Sequence, residues 1–365
     1  MSLIKDIYSP AFYSNFADTV KHIIPSFDKQ KFTEHIFNDD FKNMEWKQRM
    51  KHTTQVFHEF LPAEFPKAIK LIKKIINKLR EDNYGGSLAF IFLPDYVEMY
   101  GQDDFRTSVK AFEFITQFIS CEFAVRPFIA KYGDVMLYEM VKWSRHESAS
   151  VRRLASEGSR PRLPWAMALP ELKKNPNSIL PILENLKNDP SESVRRSVAN
   201  NLNDIAKDHP DVVISIATQW KGISKETDAI IKHGCRTLLK QGHTEILKQY
   251  GLESENIIVS DLEILTPEVK IGDSLEFSFV VQNNNPISHT VRLEYGIYYK
   301  KSKGHLAKKV FKISETVYKP DSKVKITRKQ SFRLITTRVF YTGQHQLSVI
   351  INGEEKQIKT FEIVS

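Results

Sequence analysis

The chain has 365 residues, a formal net charge of +9 from 53 Lys and Arg against 44 Asp and Glu, and a hydrophobic fraction of 41%. Together with a charged fraction of 27%, this composition excludes a disordered or fibrous chain, and the length predicts two to three domains with buried cores. The positive charge favours an acidic partner, and composition alone leaves nucleic acid and an anionic membrane surface open.

The N-terminal sequence, MSLIKDIYSPAFYSNF, lacks the apolar region and the cleavage site of a signal peptide. No apolar run approaches the roughly 18–20 residues that a bilayer span needs. The two cysteines, Cys121 and Cys235, are too few for a disulfide framework and are typical of a reducing compartment. We therefore expect a soluble, intracellular protein of the cytoplasm.

Residues 1 to about 250 predict one helix after another. Apolar residues recur every three or four positions in FADTVKHIIPSF and in FPKAIKLIKKIINKLR, as amphipathic helices require. The same spacing continues through RTSVKAFEFITQFISCEFAVRPFIAKY, with Pro127 at a predicted junction between helices. Few segments alternate with period two, so this part is predicted to be all-α.

A repeat occurs within the helical part. HESASVRRLASEG, from His146, is echoed by DPSESVRRSVANNLNDIAKDHPD, from Asp189, and ETDAIIKHGCRTLLKQGH is a looser third copy. A period near 40 residues with a short polar turn before an apolar-arginine helix is typical of HEAT repeats. Such helix pairs stack into a solenoid with a concave binding face.

Near Glu253 the pattern changes to alternating, β-branched segments separated by turn signals. Asn352-Gly353 predicts a tight hairpin. Seven or so short strands in about 110 residues indicate an immunoglobulin-type β-sandwich. The predicted fold is therefore an all-α HEAT-like repeat solenoid, residues 1–252, followed by an immunoglobulin-like β-sandwich, residues 257–365.

Basic residues concentrate in two places, the repeat helices and the stretch between Lys300 and Arg333. One interpretation is a solvated surface for the stretch between Lys300 and Arg333 and, for the repeat arginines, ion pairs with carboxylates of neighbouring repeats. For Arg152 and Arg195, such pairing and contact with nucleic acid are equally open. The other is phosphate binding, which we favour for Arg160 and Arg162, because two basic surfaces suit a long rod such as duplex DNA. The predicted DNA-binding residues are Arg152, Arg153, Arg160, Arg162, Arg195, Arg196, Lys232, Arg236, Lys300, Lys301 and Lys303.

Three carboxylates and one indole stand out within the solenoid. Glu122 has apolar neighbours, Glu157 ends a repeat helix, and Asp204 lies about one repeat further on, so the last two could face one groove. Trp165 follows Pro164 at the expected start of the next helix. Each has a structural alternative: an ion pair of Glu122 with Arg126, a helix-end role for Glu157, a core anchor for Trp165, and a solvated position for Asp204. As a group, acids in a basic groove repel phosphate unless a cationic group belongs there.

Other chemistries lack their motifs. The histidines and cysteines show no metal-ligand spacing, and the Walker A, strand-linked G-x-G-x-x-G and G-x-S-x-G patterns are absent. Nucleotide hydrolysis, redox cofactors and serine hydrolysis are therefore disfavoured.

The blocks EFAVRPFI, VRRLASEGSRPRLPWA and SVRRSVANNLNDIAKDHPD resemble the AlkC branch of the AlkC/AlkD alkylpurine DNA glycosylases. The resemblance covers residues 1 to about 250. The C-terminal sandwich resembles the immunoglobulin-like extension of one AlkC subgroup, in architecture more than in motif.

The resemblance implies a solenoid that wraps double-stranded DNA and excises cationic alkylated bases, chiefly 3-methyladenine, with 3-methylcytosine as a further candidate. It implies an abasic product, no metal or organic cofactor, and catalytic positions at Glu122, Glu157, Trp165 and Asp204. We expect a monomer, since nothing in the sequence requires more, and hydrolysis without lyase activity, because the proposed site contains no obvious Schiff-base lysine. A non-catalytic protein that recognises bent or branched DNA is the first alternative, and a protein-interaction scaffold is the second.

The roles we expect follow from the charge of the substrate. A cationic base leaves readily, so the enzyme must mainly stabilise the cationic sugar and position water. Asp204 and Glu157 are expected to do this with support from Glu122, and Trp165 is expected to pack against the deoxyribose. Arg160 and Arg162 are expected to hold the flanking phosphates.

Overall fold

A computed structural model describes residues 3–334 and 339–365. Its contacts divide the chain into two compact units. The first runs to His209 and includes Gln219–Gly234, and the second comprises Pro210–Thr218 and Cys235–Ser365. Among the described residues, no helix combines the length and the apolar character that a membrane crossing requires.

All the regular secondary structure that the structure describes in the first unit consists of helices. Their bounds, with those of the helices that continue into the second unit, are α1 Pro10–Ile23, α2 Lys29–Ile36, α3 Trp46–His58, α4 Phe65–Glu81, α5 Phe92–Tyr100, α6 Phe105–Ile115, α7 Arg126–Tyr132, α8 Asp134–Trp143, α9 Ala149–Gly158, α10 Pro170–Lys174, α11 Leu180–Leu186, α12 Glu192–Ile205, α13 Pro210–Trp220, α14 Lys225–Gly234, α15 Arg236–Gln241 and α16 Thr244–Gln249. Short 3-10 turns lie at Ile4–Ile7, Phe41–Asn43, Leu88–Ile91 and Asn177–Ile179.

The repeat helices stack in the order α9, α12, α14. Small polar side chains set the register between the first two: Ser197 Oγ lies 3.0 Å from Ser156 Oγ, and Asn201 Nδ2 donates to the Ser156 carbonyl at 2.8 Å. Valine and leucine residues of both helices fill the space behind them, as close packing of a solenoid requires. The C-terminal ends of α9 and α12 are therefore brought side by side.

A β-sandwich makes up most of the second unit. Its strands are β1 Ile257–Ile264, β2 Glu268–Lys270, β3 Ser274–Asn283, β4 His289–Lys300, β5 Leu306–Tyr318, β6 Lys323–Ser331, β7 Gly343–Ile351 and β8 Glu354–Val364. They form a three-stranded sheet in the order β1-β3-β6 and a five-stranded sheet in the order β2-β8-β7-β4-β5. All pairs are antiparallel except the parallel pair β2 and β8.

Alternating side chains of the two sheets build the sandwich core, in which the ring of Tyr295 lies 5.2 Å from Phe277 and 5.1 Å from Phe311. The hairpin predicted at Asn352-Gly353 is confirmed, with φ of 48° and 79°. Gly353 also packs against Gly242, where an added Cβ would lie 2.3 Å from the Gly242 Cα. Glycine is therefore needed at 353 for both its backbone angle and its size.

The predicted architecture, a HEAT-like helical part followed by a β-sandwich, is confirmed. The domain limits 1–252 and 257–365 stay a prediction. One local expectation is wrong: helix α6 ends at Ile115 rather than continuing towards Pro127, and residues 116–125 form turns before α7 begins.

Candidate active site and nucleic-acid interface

Glu157 and Asp204 share one buried arginine. Each is the last residue but one of its helix, α9 or α12. Arg160 donates from Nη1 to Glu157 Oε1 at 2.7 Å and from Nε to Asp204 Oδ2 at 2.9 Å. All three residues are buried, with Asp204 only 2% exposed, so it is not the solvated helix residue that one alternative held it to be.

Two opposing effects act on Arg160. Burial disfavours its charge, but the adjoining charges and hydrogen bonds of Glu157 and Asp204 outweigh burial, and the pKa of Arg160 is raised. A carboxylate at the C-terminal end of a helix faces the negative end of the helix dipole. Arg160 offsets that unfavourable placement for both acids at once.

Further ion pairs extend this group at both ends. Lys207 Nζ lies 3.0 Å from Asp204 Oδ1, and Arg153 Nη2 lies 3.9 Å from Glu157 Oε2. Arg153 also donates from Nη1 to Glu122 Oε2 at 2.7 Å. Carboxylates and cations therefore alternate in what we call the ion row: Glu122, Arg153, Glu157, Arg160, Asp204 and Lys207.

Glu122 reaches the ion row from a turn and not from a helix face. It lies in the segment between α6 and α7, where Ser120 Oγ donates to its Oε2 at 2.8 Å. The suggested ion pair with Arg126 is not the one observed, since Glu122 binds Arg153 instead. Glu122 can reach Arg153 because a residue in a turn need not point its side chain in the direction that a helix would impose.

Trp165 lies in the loop between α9 and α10, residues 159–169, which we call the Trp165 loop. Its side chain is 65% exposed, which contradicts the core-anchor alternative, and it precedes the next helix by five residues instead of starting it, since α10 begins at Pro170. The indole lies 5.9 Å from the ring of Trp46, and the Lys47 ammonium contacts the Trp165 carbonyl. Its φ of 63° is in the left-handed region that residues with a side chain rarely adopt.

Arg126, which we did not predict as a site residue, is fully buried beneath the Trp165 loop. It donates from Nη1 to the carbonyls of Gly158 and Arg160 at 2.9 and 2.7 Å, and from Nε to that of Met167 at 2.7 Å. Burial, and next the charge of Arg160, lowers the pKa of Arg126 to about 10. The guanidinium therefore remains charged at neutral pH. Its partners are distant backbone atoms, which leave no signal in a sequence.

The repeat arginines Arg152 and Arg195 both bind the turn between α11 and α12. Arg152 forms a bidentate pair with Asp189, at 2.6 and 3.1 Å, so the structural alternative is observed for this residue. Arg195 donates to the carbonyls of Asp189 and Pro190 at 2.8 and 2.9 Å. Arg152 thus links neighbouring repeats, whereas Arg195 binds the turn before its own helix, and as DNA contacts both stay a prediction.

The other predicted DNA contacts lie nearer the surface of their units. In the first unit, Arg162 pairs with Asp208 at 2.6 Å, Arg196 pairs with Glu192, and Lys232 is exposed on α14. In the second unit, Lys300, Lys301 and Lys303 lie at or beside the turn between β4 and β5, and Arg236 begins α15. Their role in binding DNA stays a prediction.

A second acidic pair occupies the N-terminal helices. Asp95, on α5, is buried and accepts a hydrogen bond from Thr54 Oγ1 at 2.6 Å, while its Oδ1 has no partner among the described residues. Burial raises the pKa of Asp95. Burial, and then the charge of Asp95, raises the pKa of Glu98 to about 7. Within residues 3–334 and 339–365, no three His, Cys, Asp or Glu side chains are grouped to hold a metal ion.

Two family models match the chain. The HEAT repeat model matches residues 179–209, and the model described as "Uncharacterised protein YhaZ, C-terminal Ig-like domain" matches residues 258–365. A Bacillus subtilis (strain 168) relative, "Uncharacterized protein YhaZ", is 42% identical over 364 residues, which cover 100% of both proteins.

Among solved structures, the Pseudomonas fluorescens alkylpurine DNA glycosylase AlkC, bound to DNA containing an abasic site analog, matches with a TM-score of 0.91 and 34% identity. The match covers 100% of both chains. The chain belongs to the AlkC family. Because the AlkC match spans the full length, membership covers the sandwich as well as the solenoid, and the predicted AlkC resemblance is confirmed for both.

Proposed function

We propose that this chain is a DNA glycosylase that hydrolyses the N-glycosidic bond of cationic alkylated bases in double-stranded DNA and leaves an abasic site. The preferred substrate is 3-methyladenine, with 3-methylcytosine as a further candidate. The observation that carries the proposal is the ion row, together with an exposed Trp165 on the loop that also carries Arg160, in a chain of the AlkC family. The AlkC relative is bound to DNA that mimics the product of base removal.

The chemistry of the substrate explains why acids belong in this groove. A base alkylated at N3 already carries positive charge, so it leaves without protonation by a general acid. The developing sugar cation must be stabilised, and Glu157 and Asp204, held in fixed positions, supply negative charge in a partly dehydrated setting. Either carboxylate can also accept a proton from the attacking water.

Glu122 and Trp165 complete the proposed site. Glu122 supports the two buried acids through Arg153, which it shares with Glu157. Trp165 packs its exposed indole against the deoxyribose, where an aromatic face favours positive charge. Alternating cations hold these acids in a basic groove with less repulsion of phosphate than unpaired carboxylates would cause.

For Arg160 we propose a role different from the expected phosphate contact. Its guanidinium is buried and bound to two carboxylates, so it acts as a positioning residue for them. Arg162, which is more exposed, keeps the proposed phosphate contact. Other phosphate contacts in the proposal are the basic side chains Arg152, Arg153, Arg195, Arg196, Lys232, Arg236, Lys300, Lys301 and Lys303.

We propose hydrolysis without lyase chemistry, by a monomer that uses no cofactor. Lys207 lies in the ion row, but as the ion-pair partner of Asp204, and a protonated amine is not a nucleophile. Borohydride trapping on abasic DNA tests this point: a covalent adduct that Lys207→Met abolishes would contradict it.

The decisive experiment measures release of each base from methylated duplex DNA by the wild type, Glu157→Gln and Asp204→Asn. We expect the wild type to release 3-methyladenine and each variant to lose tenfold or more in rate while still binding DNA, because a neutral amide cannot stabilise the sugar cation. Glu192→Gln is the matched control, since it removes an exposed carboxylate from the same helix as Asp204.

Each alternative has its own outcome. DNA binding without base release by the wild type would leave a non-catalytic binding protein. Binding that does not weaken between low and moderate salt would instead indicate a protein-interaction scaffold, because phosphate contacts release counterions.

A further inference from the structure

The Trp165 loop has little backbone structure of its own. Its internal hydrogen bonds are long, at 3.4 Å from Ala166 N to the Leu163 carbonyl and 3.3 Å from Leu169 N to the Pro161 carbonyl. The left-handed backbone at Trp165 costs about 1–2 kcal/mol for a residue with a side chain. Such a conformation persists only when surrounding contacts hold it.

Arg126 provides those contacts on both sides of Trp165. Its hydrogen bonds to the carbonyls of Gly158 and Arg160 hold the entry of the loop, and its bond to the Met167 carbonyl holds the chain just after the indole. One rigid, planar guanidinium can do this because its donors diverge in fixed directions. A lysine at 126 could not reach all three carbonyls in the same geometry.

Burying the charged side chain of Arg126 costs free energy, and its contacts with the Trp165 loop are what offset that cost. The guanidinium is fully buried, its direct partners are neutral carbonyls, and its Nη2 lacks a partner among the described residues. Burying a charge without a directly bonded counter-ion costs several kcal/mol. Helix α7 does not need a buried arginine for its own stability. A loop that must present Arg160 and Trp165 together does need one.

We propose that Arg126 is a positioning residue that fixes the Trp165 loop before DNA binds, so that Arg160 holds the acids and Trp165 meets the sugar in one arrangement. This inference rests on the proposed glycosylase function. Arg126 acts only through the loop, because its hydrogen bonds go to backbone carbonyls at the two ends of that loop. Misplacing a catalytic group by about 1 Å can cost on the order of a hundredfold in rate.

The test compares Arg126→Lys and Arg126→Gln with the wild type. Arg292→Lys is the control for a buried arginine, because Arg292 lies in strand β4 of the sandwich and donates to Glu294 at 2.7 Å. We expect both Arg126 variants to lose roughly ten- to hundredfold in kcat with little change in DNA affinity. Amide hydrogen exchange should speed up in residues 159–169 of these variants and remain unchanged there in Arg292→Lys.

A cycle with Trp165→Ala separates positioning from a general loss of stability. If Arg126 acts through the indole, Arg126→Lys should cost at least fivefold less in kcat when Trp165 is already absent. Independent, multiplying losses together with unchanged loop exchange would overturn the proposal. If the Arg126 variants do not fold, the wild type still decides: fast exchange throughout residues 159–169 would show that the loop is not held.

The two proposals fail separately. An inactive wild type whose loop exchange still depends on Arg126 would refute the glycosylase function and leave Arg126 as the residue that holds the loop. An active wild type with unchanged kcat in both variants would refute only the role of Arg126.

Discussion

Two acidic pairs of the solenoid differ in how their charge is balanced. Glu157 and Asp204 are joined by Arg160, with Nη1 and Nε at 2.7 and 2.9 Å from their oxygens. Asp95 and Glu98 have no ion pair among the described residues, and burial raises the pKa of both. One pair is therefore balanced by a cation, and the other tends to hold a proton.

This difference in charge balance distinguishes a site whose proposed function needs negative carboxylates, Glu157 and Asp204, from one that tolerates protonated, neutral acids, Asp95 and Glu98. A buried carboxylate without a partner lowers its free energy by taking up a proton. A site that stabilises a sugar cation cannot use a neutral acid, and a shared arginine is a way to keep charge in a buried place. The comparison supports placing catalysis at Glu157 and Asp204 and not at the N-terminal pair.

Removing the shared cation should have the largest effect on stability. Arg160→Met leaves two buried carboxylates unpaired on that side, so we expect a loss of about 3–5 kcal/mol in the free energy of unfolding. Urea unfolding followed by helical circular dichroism measures it. Arg162→Met, which breaks the more exposed pair with Asp208, should cost no more than about 1 kcal/mol. Equal losses in the two variants would mean that Arg160 is not the balancing charge.

The sequence predicts the residues of the first pair but not the way they are joined. Glu157 and Asp204 follow from the repeat, because equivalent helices of stacked repeats lie side by side. The bridge by Arg160 depends on how the chain turns after Gly158, which no periodicity encodes. Glu122 was expected on a helix because apolar spacing runs through residues 105–132 without a break, and the turns at 116–125 arise from tertiary packing.

Other residues leave no pattern at all. Arg126 binds backbone carbonyls 32 to 41 positions away, and any residue type could supply those acceptors. Asp95 and Glu98 stand in an apolar segment, where only burial in the folded protein reveals their shifted pKa values. The fold class needs only periodicity, and it was therefore predictable.

The same kind of substitution should change stability in opposite directions at the two pairs. Glu98 has a folded-state pKa of about 7, above its ordinary value of 4.5, so the folded protein binds more protons than the unfolded chain between these pH values. Stability from this group is present below about pH 4.5 and is lost as pH rises through 7. Glu98→Gln should therefore stabilise the protein at pH 8, on the order of 1–2 kcal/mol, and have little effect at pH 5.

Glu157→Gln provides the contrast, because it removes one partner of Arg160 and should destabilise at both pH values. Urea unfolding of both variants at pH 5 and pH 8 measures the difference. Asp95 remains in Glu98→Gln, so some pH dependence should persist. If Glu98→Gln were destabilising at pH 8, Glu98 would have to be charged and favourably paired in solution.

A strained, left-handed residue lies in the loop beside Glu157, but not at Asp95 or Glu98. Relieving that strain should give the smallest change in stability among these predictions. Asp95 and Glu98 lie within α5, whereas the loop beside Glu157 carries the left-handed Trp165. Trp165→Ala keeps that strain and Trp165→Gly removes it, so the glycine variant should be more stable by about 0.5–1 kcal/mol after the entropy of the unfolded glycine is counted. Thermal unfolding of the two variants measures the difference, and both should lose base release.

The control variants should show the opposite order of stability, with alanine more stable than glycine. Lys74→Gly should be less stable than Lys74→Ala by about 1 kcal/mol, because position 74 is exposed on the regular helix α4. If Trp165→Ala were more stable than Trp165→Gly, as at position 74, the left-handed backbone would be lost when the indole is removed. The contacts of the indole itself would then impose that backbone conformation. If glycine is the more stable, the loop keeps its conformation without the indole, which is what Arg126 would achieve. The strain at Trp165 would then be retained for the sake of an exposed side chain that we propose contacts DNA, and stability would be exchanged for the position of one indole.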